Sequence, residues 1–310
     1  MSWKIRGIRL NKTSTIHEYI ASHAEMVEAA LIQALPAVWD VPGSLRESMN
    51  YSLMAGGKRL RPILVLAAAE VLGGSLEAAM PVALAIEMVH TYSLVHDDLP
   101  AMDNDDYRRG KLTNHKVYGE AMAILAGDAL LTQAFFSITQ AHKSHGIPAE
   151  RVLAITEELA VYAGARGMVG GQAADMLGEQ GITKLEELAF IHTHKTSDLI
   201  VFSLRAGGHI AGATEAQLSA LSEFGNAIGL AFQIQDDILD IIGDEKKLGK
   251  PVKSDEKQQK VTYPFFIGME ASEQKVKDLT NHAKETLLRA QIAHPERLLQ
   301  LADYLMQRDH

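Results

Sequence analysis

A chain of 310 residues is long enough for one large or two ordinary domains, and 47% apolar residues allow a substantial core. Thirty Lys and Arg against 39 Asp and Glu leave a net charge of −9, which argues against a general binder of nucleic acid or anionic membranes. The lack of cysteine excludes disulfides and thiolate metal sites, and no apolar run is read as reaching membrane-spanning length.

From the start of the chain, residues 1–15 (MSWKIRGIRLNKTST) are basic and polar and lack the apolar centre of a secretory signal, so they read as a flexible leader and the protein as cytoplasmic. Helical periodicity then predicts helices over 16–35, 44–55, 59–73, 76–98, 118–142, 149–166, 184–210, 214–242, 260–291 and 293–307. Pro264 is expected to break the ninth. Convincing period-two strands, internal repeats and linkers are absent. The expectation is a single all-α domain over 16–310.

Two of these segments, PVALAIEMVHTYSLVH (81–96) and FGNAIGLAFQIQDDILDII (224–242), are apolar nearly all round and should be central. Yet both carry aspartates, and buried carboxylates are costly unless paired or bound to metal. In the second, Asp236 and Asp240 share a helix face one turn apart, with Asp237 at its edge. In the first, Asp97 and Asp103 would sit about 240° apart on a straight helix. Pro100 forbids that helix, and a break there can swing Asp103 back towards Asp97. Either string alone reads equally well as a solvated helix end. Together they read as oxygen-only ligands for Mg²⁺, with a diphosphate completing the coordination.

Basic residues cluster where such a ligand needs them. GGKRLRP supplies Lys58, Arg59 and Arg61, YRRGK supplies Arg108, Arg109 and Lys111, and HTHKTSD supplies Lys195 and Thr196. The lysine-rich segment 243–260 contains Lys250 and Lys260 and reads as a lid. Each cluster on its own could be ordinary surface charge.

In order along the chain, GGKRLRP, VHTYSLVHDDLP, DDLPAMD, RRGK, GEAMAILAGDALL, GGQAADM, HKT, FQIQDD, DDILD, GKPVKSD and the Lys260–Pro264 string resemble the trans-isoprenyl diphosphate synthases, and more narrowly the bacterial farnesyl diphosphate synthases. The resemblance implies an isoprenoid-synthase helical bundle around a deep cavity, a homodimer, three Mg²⁺ ions and head-to-tail condensation. The substrates it implies are isopentenyl diphosphate with dimethylallyl or geranyl diphosphate. By motif, Asp97 and Asp103 would ligate two ions with Asp98 in support, and Asp236 the third with Asp237 and Asp240 beside it. Arg108, Lys195, Lys250 and Lys260 would contact the allylic diphosphate; Lys58, Arg61, His90 and Arg109 would hold isopentenyl diphosphate. Thr196 and Gln233 would place oxygens near the allylic cation, Phe232 would line the isopentenyl pocket, and Tyr92 would floor the product tunnel. His90, Phe232 and Tyr92 read as ordinary core residues without the resemblance.

The chain departs from the pattern at Ser197-Asp198, which stand where the family usually has Gly and an apolar residue, at Lys253 and at Val261. Competing readings are a geranylgeranyl (C20) diphosphate synthase, a terpene cyclase, a non-catalytic subunit of a heteromeric synthase, and a purely structural helical protein. A cyclase would not need the second diphosphate site suggested by Lys58, Arg61 and Arg109, and a non-catalytic subunit would not need intact acidic motifs.

Overall fold

The computed structural model describes residues 14–178, 181, 184–242 and 261–307, and among these the architecture is all-α apart from one minimal hairpin. The chain groups into two compact units, Met1–Thr156 with His209–Gly212 and Glu157–Gly208 with Ala213–His310.

The first unit begins with α1 (Ile16–Leu31). Thr15, the last residue of the expected leader, is its N-cap: it accepts the Glu18 N–H, and the Glu18 carboxylate accepts the Thr15 N–H at 2.8 Å. This capping box defines the helix start. Next come α2 (Gly43–Leu53), α3 (Leu60–Val71) and α4 (Leu76–Asp97). After the hairpin β1 (Tyr107–Arg108) and β2 (Lys111–Leu112) follow α5 (Asn114–Tyr118) and α6 (Glu120–His145), then α7 (Ala149–Ala163), within which the division between the units falls. The central element is α4, packed chiefly on α6 and α3 and buried along nearly all of Ala78–Val95.

A charged pair lies inside this core. Glu87 on α4 is 2% exposed and pairs with Arg59, which is 3% exposed and also donates to the Leu53 carbonyl at 2.9 Å. Arg59 adopts a left-handed φ of 51° to do so. It therefore braces α3 against α4 instead of joining Lys58 and Arg61 as a ligand contact. Removing one partner of such a buried pair typically costs about 3–5 kcal/mol.

By length and hydropathy α4 and α6 would suffice to cross a membrane, against the sequence expectation. The α4 window is 83% buried, so its apolarity is that of a core helix. On α6, Ile124 and Leu125 stay 44% and 52% exposed.

The second unit contains α8 (Met168–Gly178), α9 (Leu185–His192), a π-helical turn (Thr193–Ser197) and α10 (Asp198–Ala211). It continues with α11 (Glu215–Ile242), α12 (Tyr263–Ile267), α13 (Met269–Arg289) and α14 (Glu296–Met306). The main packing runs along α11 and α13. Leu188, Ala231, Ile234, Ile238, Tyr263 and Val276 form one cluster of its core.

Three expectations change here. The helix expected over 184–210 is divided by the π-turn. Helix α8 was not expected, because Gly170 and Gly171 lower local helix propensity. Pro264 starts α12 instead of breaking a helix, as its missing N–H is harmless in a first turn. The break falls at Gly268, whose φ is +83°.

Candidate active site

In the first unit the apolar run of α4 ends at Asp97, and the chain turns at Pro100. The turn closes when the Asp103 N–H donates to the Asp97 carbonyl at 2.9 Å and the Asn104 N–H to the Leu99 carbonyl at 3.1 Å. Asn104 takes the left-handed φ of 54° that this demands. The break expected at Pro100 thus returns residue 103 to residue 97. In this stretch Asp98, Asp105 and Asp106 pair with protein cations. Arg108 Nε and Nη2 both lie 2.6 Å from Asp98 Oδ1, and Nη2 lies 3.5 Å from Asp105. Lys116 Nζ lies 2.7 Å from Asp106. Burial pushes the Asp98 carboxyl above its usual range, against the pull of Arg108. Asp98 is thereby a buried anchor for Arg108.

The hairpin separates the two neighbouring arginines. Tyr107 pairs with Leu112 and Arg108 with Lys111. Arg109 and Gly110 form the connecting turn, with φ of 53° and 73°, the positive pair of a type I′ turn. Arg108 reaches back to Asp98, while Arg109 donates to the Gly56 carbonyl. A Cβ on Gly57 would stand 2.6–2.8 Å from the Arg109 guanidinium, so the bare Gly57 backbone is the seat of that side chain. The hairpin base is pinned by residues no motif singled out. Tyr51 donates to the Leu112 carbonyl at 2.7 Å, and Asn114 exchanges bonds with Ser48 at 2.8 and 2.9 Å.

His90, half-buried on α4, lies 3.5 Å from Arg61 Nη1. Its pKa is held well below the ordinary imidazole value, first by burial and then by Arg61, Arg109, Arg108 and Arg59. The ring thus lies in the field of several guanidiniums, of which Arg59 and Arg108 are themselves paired with Glu87 and Asp98. Tyr92 is 7% exposed, its ring edge-on to His96 at 5.7 Å. His96 is seated against Gly127 of α6, where a Cβ would come within 2.1 Å of Nε2.

In the second unit the π-turn carries Lys195 and Thr196. Lys195 Nζ lies 2.7 Å from Asp175 on α8, and the Thr196 hydroxyl donates to Gln233 Oε1 at 3.1 Å. The turn is pressed between two glycines. A Cβ on Gly171 of α8 would meet the Lys195 backbone N at 2.3 Å, and one on Gly229 of α11 would meet the Ser197 side chain at 2.5–2.6 Å. The departure at Ser197-Asp198 is accommodated here: Ser197 rests on Gly229, and the buried Asp198 carboxylate lies 2.7 Å from His194 Nδ1. Burial raises the Asp198 pKa, and His194 opposes the rise.

On α11, Phe232, Gln233 and Asp236 are half-buried, whereas Asp237 and Asp240 are 8% and 2% exposed. Asp237 Oδ2 accepts the Tyr263 N–H at 2.8 Å and a bond from His192 Nε2 at 3.1 Å. Burial and the Asp237 charge push the Tyr263 hydroxyl up to about 12. Lys250, Lys260 and the Lys253 departure lie outside the described residues. Among the described residues no three His, Cys, Asp or Glu side chains are gathered as a metal cage. Carboxylate oxygen is the donor type Mg²⁺ takes, one or two per ion, with water and substrate phosphate completing its shell.

Residues 42–294 match the family model described as polyprenyl synthetase. The chain is 50% identical over 301 residues to the dimethylallyltranstransferase of Fischerella ambigua, covering 96% of this chain and 85% of that one. It is 47% identical over 296 residues to the farnesyl diphosphate synthase of Geobacillus stearothermophilus, covering 96% and 99%. The crystal structure of the geranyltransferase of Legionella pneumophila superposes with a TM-score of 0.82 at 33% identity, covering 94% and 97%.

Proposed function

The chain belongs to the polyprenyl synthetase family, and from that premise we propose that it is a (2E,6E)-farnesyl diphosphate synthase. It condenses isopentenyl diphosphate head-to-tail with dimethylallyl or geranyl diphosphate. The observation that carries the reading is the turn closed by the Asp103 N–H on the Asp97 carbonyl. It folds two acidic residues together at the end of an apolar core helix, where a metal-bound diphosphate with a greasy tail would need them.

Asp97 and Asp103 in the first unit and Asp236 and Asp240 in the second would hold Mg²⁺, three ions in all, which when bound would supply charge neutralisation for the departing diphosphate. Lys195, Lys250, Lys260 and Arg108 add cationic contacts whose benefit grows in the transition state. Arg108 Nε and Nη2 are occupied by Asp98, so Nη1 is its atom for a phosphate oxygen. Thr196 and Gln233 present oxygens to the developing cation, and apolar helix surface excludes water. Lys58, Arg61, Arg109 and neutral His90 hold the diphosphate of isopentenyl diphosphate, with Phe232 along its pocket. The alkene attacks the allylic carbon, and the resulting cation loses a proton to the departed diphosphate, so no protein base is required.

Incubation of the purified chain with Mg²⁺, isopentenyl diphosphate and each allylic primer is expected to yield C15 diphosphate. A dominant C20 product would assign the chain as a geranylgeranyl diphosphate synthase instead. No product with any primer would overturn the catalytic reading.

The same reading makes the protein a cytoplasmic homodimer. Its support is an α6 stripe of Ile124, Leu131 and Phe135 with Leu125 beside it, exposed or half-buried, of the kind that marks an association face. Light scattering at micromolar concentration is expected to give twice the 33.8 kDa chain mass; a single-chain mass would remove the dimer.

A further inference from the structure

The π-turn that carries Thr196 lies along one stripe of α11. Gly229, Gln233 and Asp237 recur every fourth residue and so share a face. They meet, in order, Ser197 by steric contact, Thr196 by the 3.1 Å bond, and His192 by the 3.1 Å bond. A π-turn is rare and interrupts the regular i→i−4 ladder, so what holds it in place matters. Two of its three contacts along α11 are weak in direction: a glycine only permits approach, and a hydroxyl–amide bond is neutral. The third joins a carboxylate to a ring nitrogen, and bonds with an ionised partner are roughly twice as strong.

That third support is also the rigid one. Asp237 cannot follow a sliding turn, because the same oxygen is held at 2.8 Å by the Tyr263 N–H. The His192 ring is stacked on the Tyr263 ring, with centroids 5.6 Å apart and planes 16° apart. His192 and Tyr263 are 8% and 3% exposed, so neither bond competes with bulk water. A carboxylate only accepts, so His192 Nε2 carries the proton.

We propose that His192 is a positioning residue: its bond to Asp237 sets the register of the turn Thr193–Ser197 along α11 and thereby places the Thr196 and Gln233 oxygens beside the reacting carbon. This rests on the function proposed above. Lys195 lies in the same turn, but its ammonium is tied to Asp175 on α8, so losing the His192 bond disturbs the Thr196 and Gln233 oxygens more than the diphosphate contact. Asp237 accordingly serves the site as the fixed point of this clasp.

The test uses the full chain, its wild-type product assay being read first; absence of turnover there defeats the functional reading itself. His192→Phe keeps the ring stacked on Tyr263 and removes only the donor. It is expected to lower kcat about ten- to a hundredfold, the scale of a small misplacement near the reacting atoms, with KM for both diphosphates within about twofold. It should also release more allylic alcohol per condensation, as water takes the allylic carbon, diphosphate leaves and the water's proton goes to solvent. Amide exchange across 193–199 should quicken. His192→Gln, which restores an N–H donor, should recover most of kcat and slow the exchange again. Wild-type kcat and alcohol release in His192→Phe would overturn the proposal. So would a loss confined to KM, or an equal loss in His192→Gln.

Discussion

Asp97→Ala is expected to lower kcat/KM by roughly 10²–10³-fold or more, the scale of losing one preorganised charge-stabilising group. Asp236→Ala should do the same. The loss should appear without a loss of fold. Asp97 is the last residue of α4 and half-buried, and Asp236 is half-buried on α11. Neither side chain is part of the apolar core, so truncation creates no core cavity, the commonest source of large stability losses. Turnover should therefore collapse while helical circular dichroism and the unfolding midpoint hold. The Mg²⁺ concentration for half-activation should also rise in any residual activity. Near-normal rates in either variant would remove that motif from the metal chemistry.

What made these two acids legible was a local contradiction: charge at the ends of segments that are otherwise core. Other parts of the site left no such mark. Glu87 looks like any helical glutamate until Arg59 is seen to turn inward at a left-handed φ. The π-turn hides inside a continuous helical pattern, because His192 to Asp198 keeps the same run of residue types across the change of pitch. Its cause lies elsewhere in sequence, at Gly171 and Gly229, whose missing Cβ atoms let two helices close on it. The glycines of GGQAADM lower helix propensity, and that obscured α8, yet they are there for close approach. The hairpin of YRRGK was invisible to periodicity because each strand has only two residues. Its one sequence signal is Gly110 after Arg109, a pair able to take positive φ. The extra acid at Asp198, an apparent threat to the site, is explained by His194 one turn earlier.

Tyr92→Ala is expected to move the main product from C15 to C20. Tyr92 lies five residues before Asp97, about 7.5 Å down the axis of α4 at 1.5 Å per residue, on the side away from the diphosphate end. Its ring is 7% exposed and braced edge-on by His96, itself seated against Gly127. Burial raises its hydroxyl pKa, so the phenol stays neutral and can face hydrocarbon. A growing chain that meets this ring cannot bury another five carbons, and at about 0.8 kcal/mol per buried CH₂ that forgoes up to roughly 4 kcal/mol. Since about 1.4 kcal/mol is a tenfold ratio, opening the space is large enough to reverse the product order even if most of the gain is lost to imperfect packing. Truncating a buried aromatic side chain also costs stability, about 3–5 kcal/mol when nothing refills the space. Total turnover at a fixed temperature is consequently a poor readout, and the chain-length distribution is the informative one. A Tyr92→Ala protein that is less stable but still makes C15 would return Tyr92 to the ordinary core. Longer product from a folded variant would identify the ring as the floor.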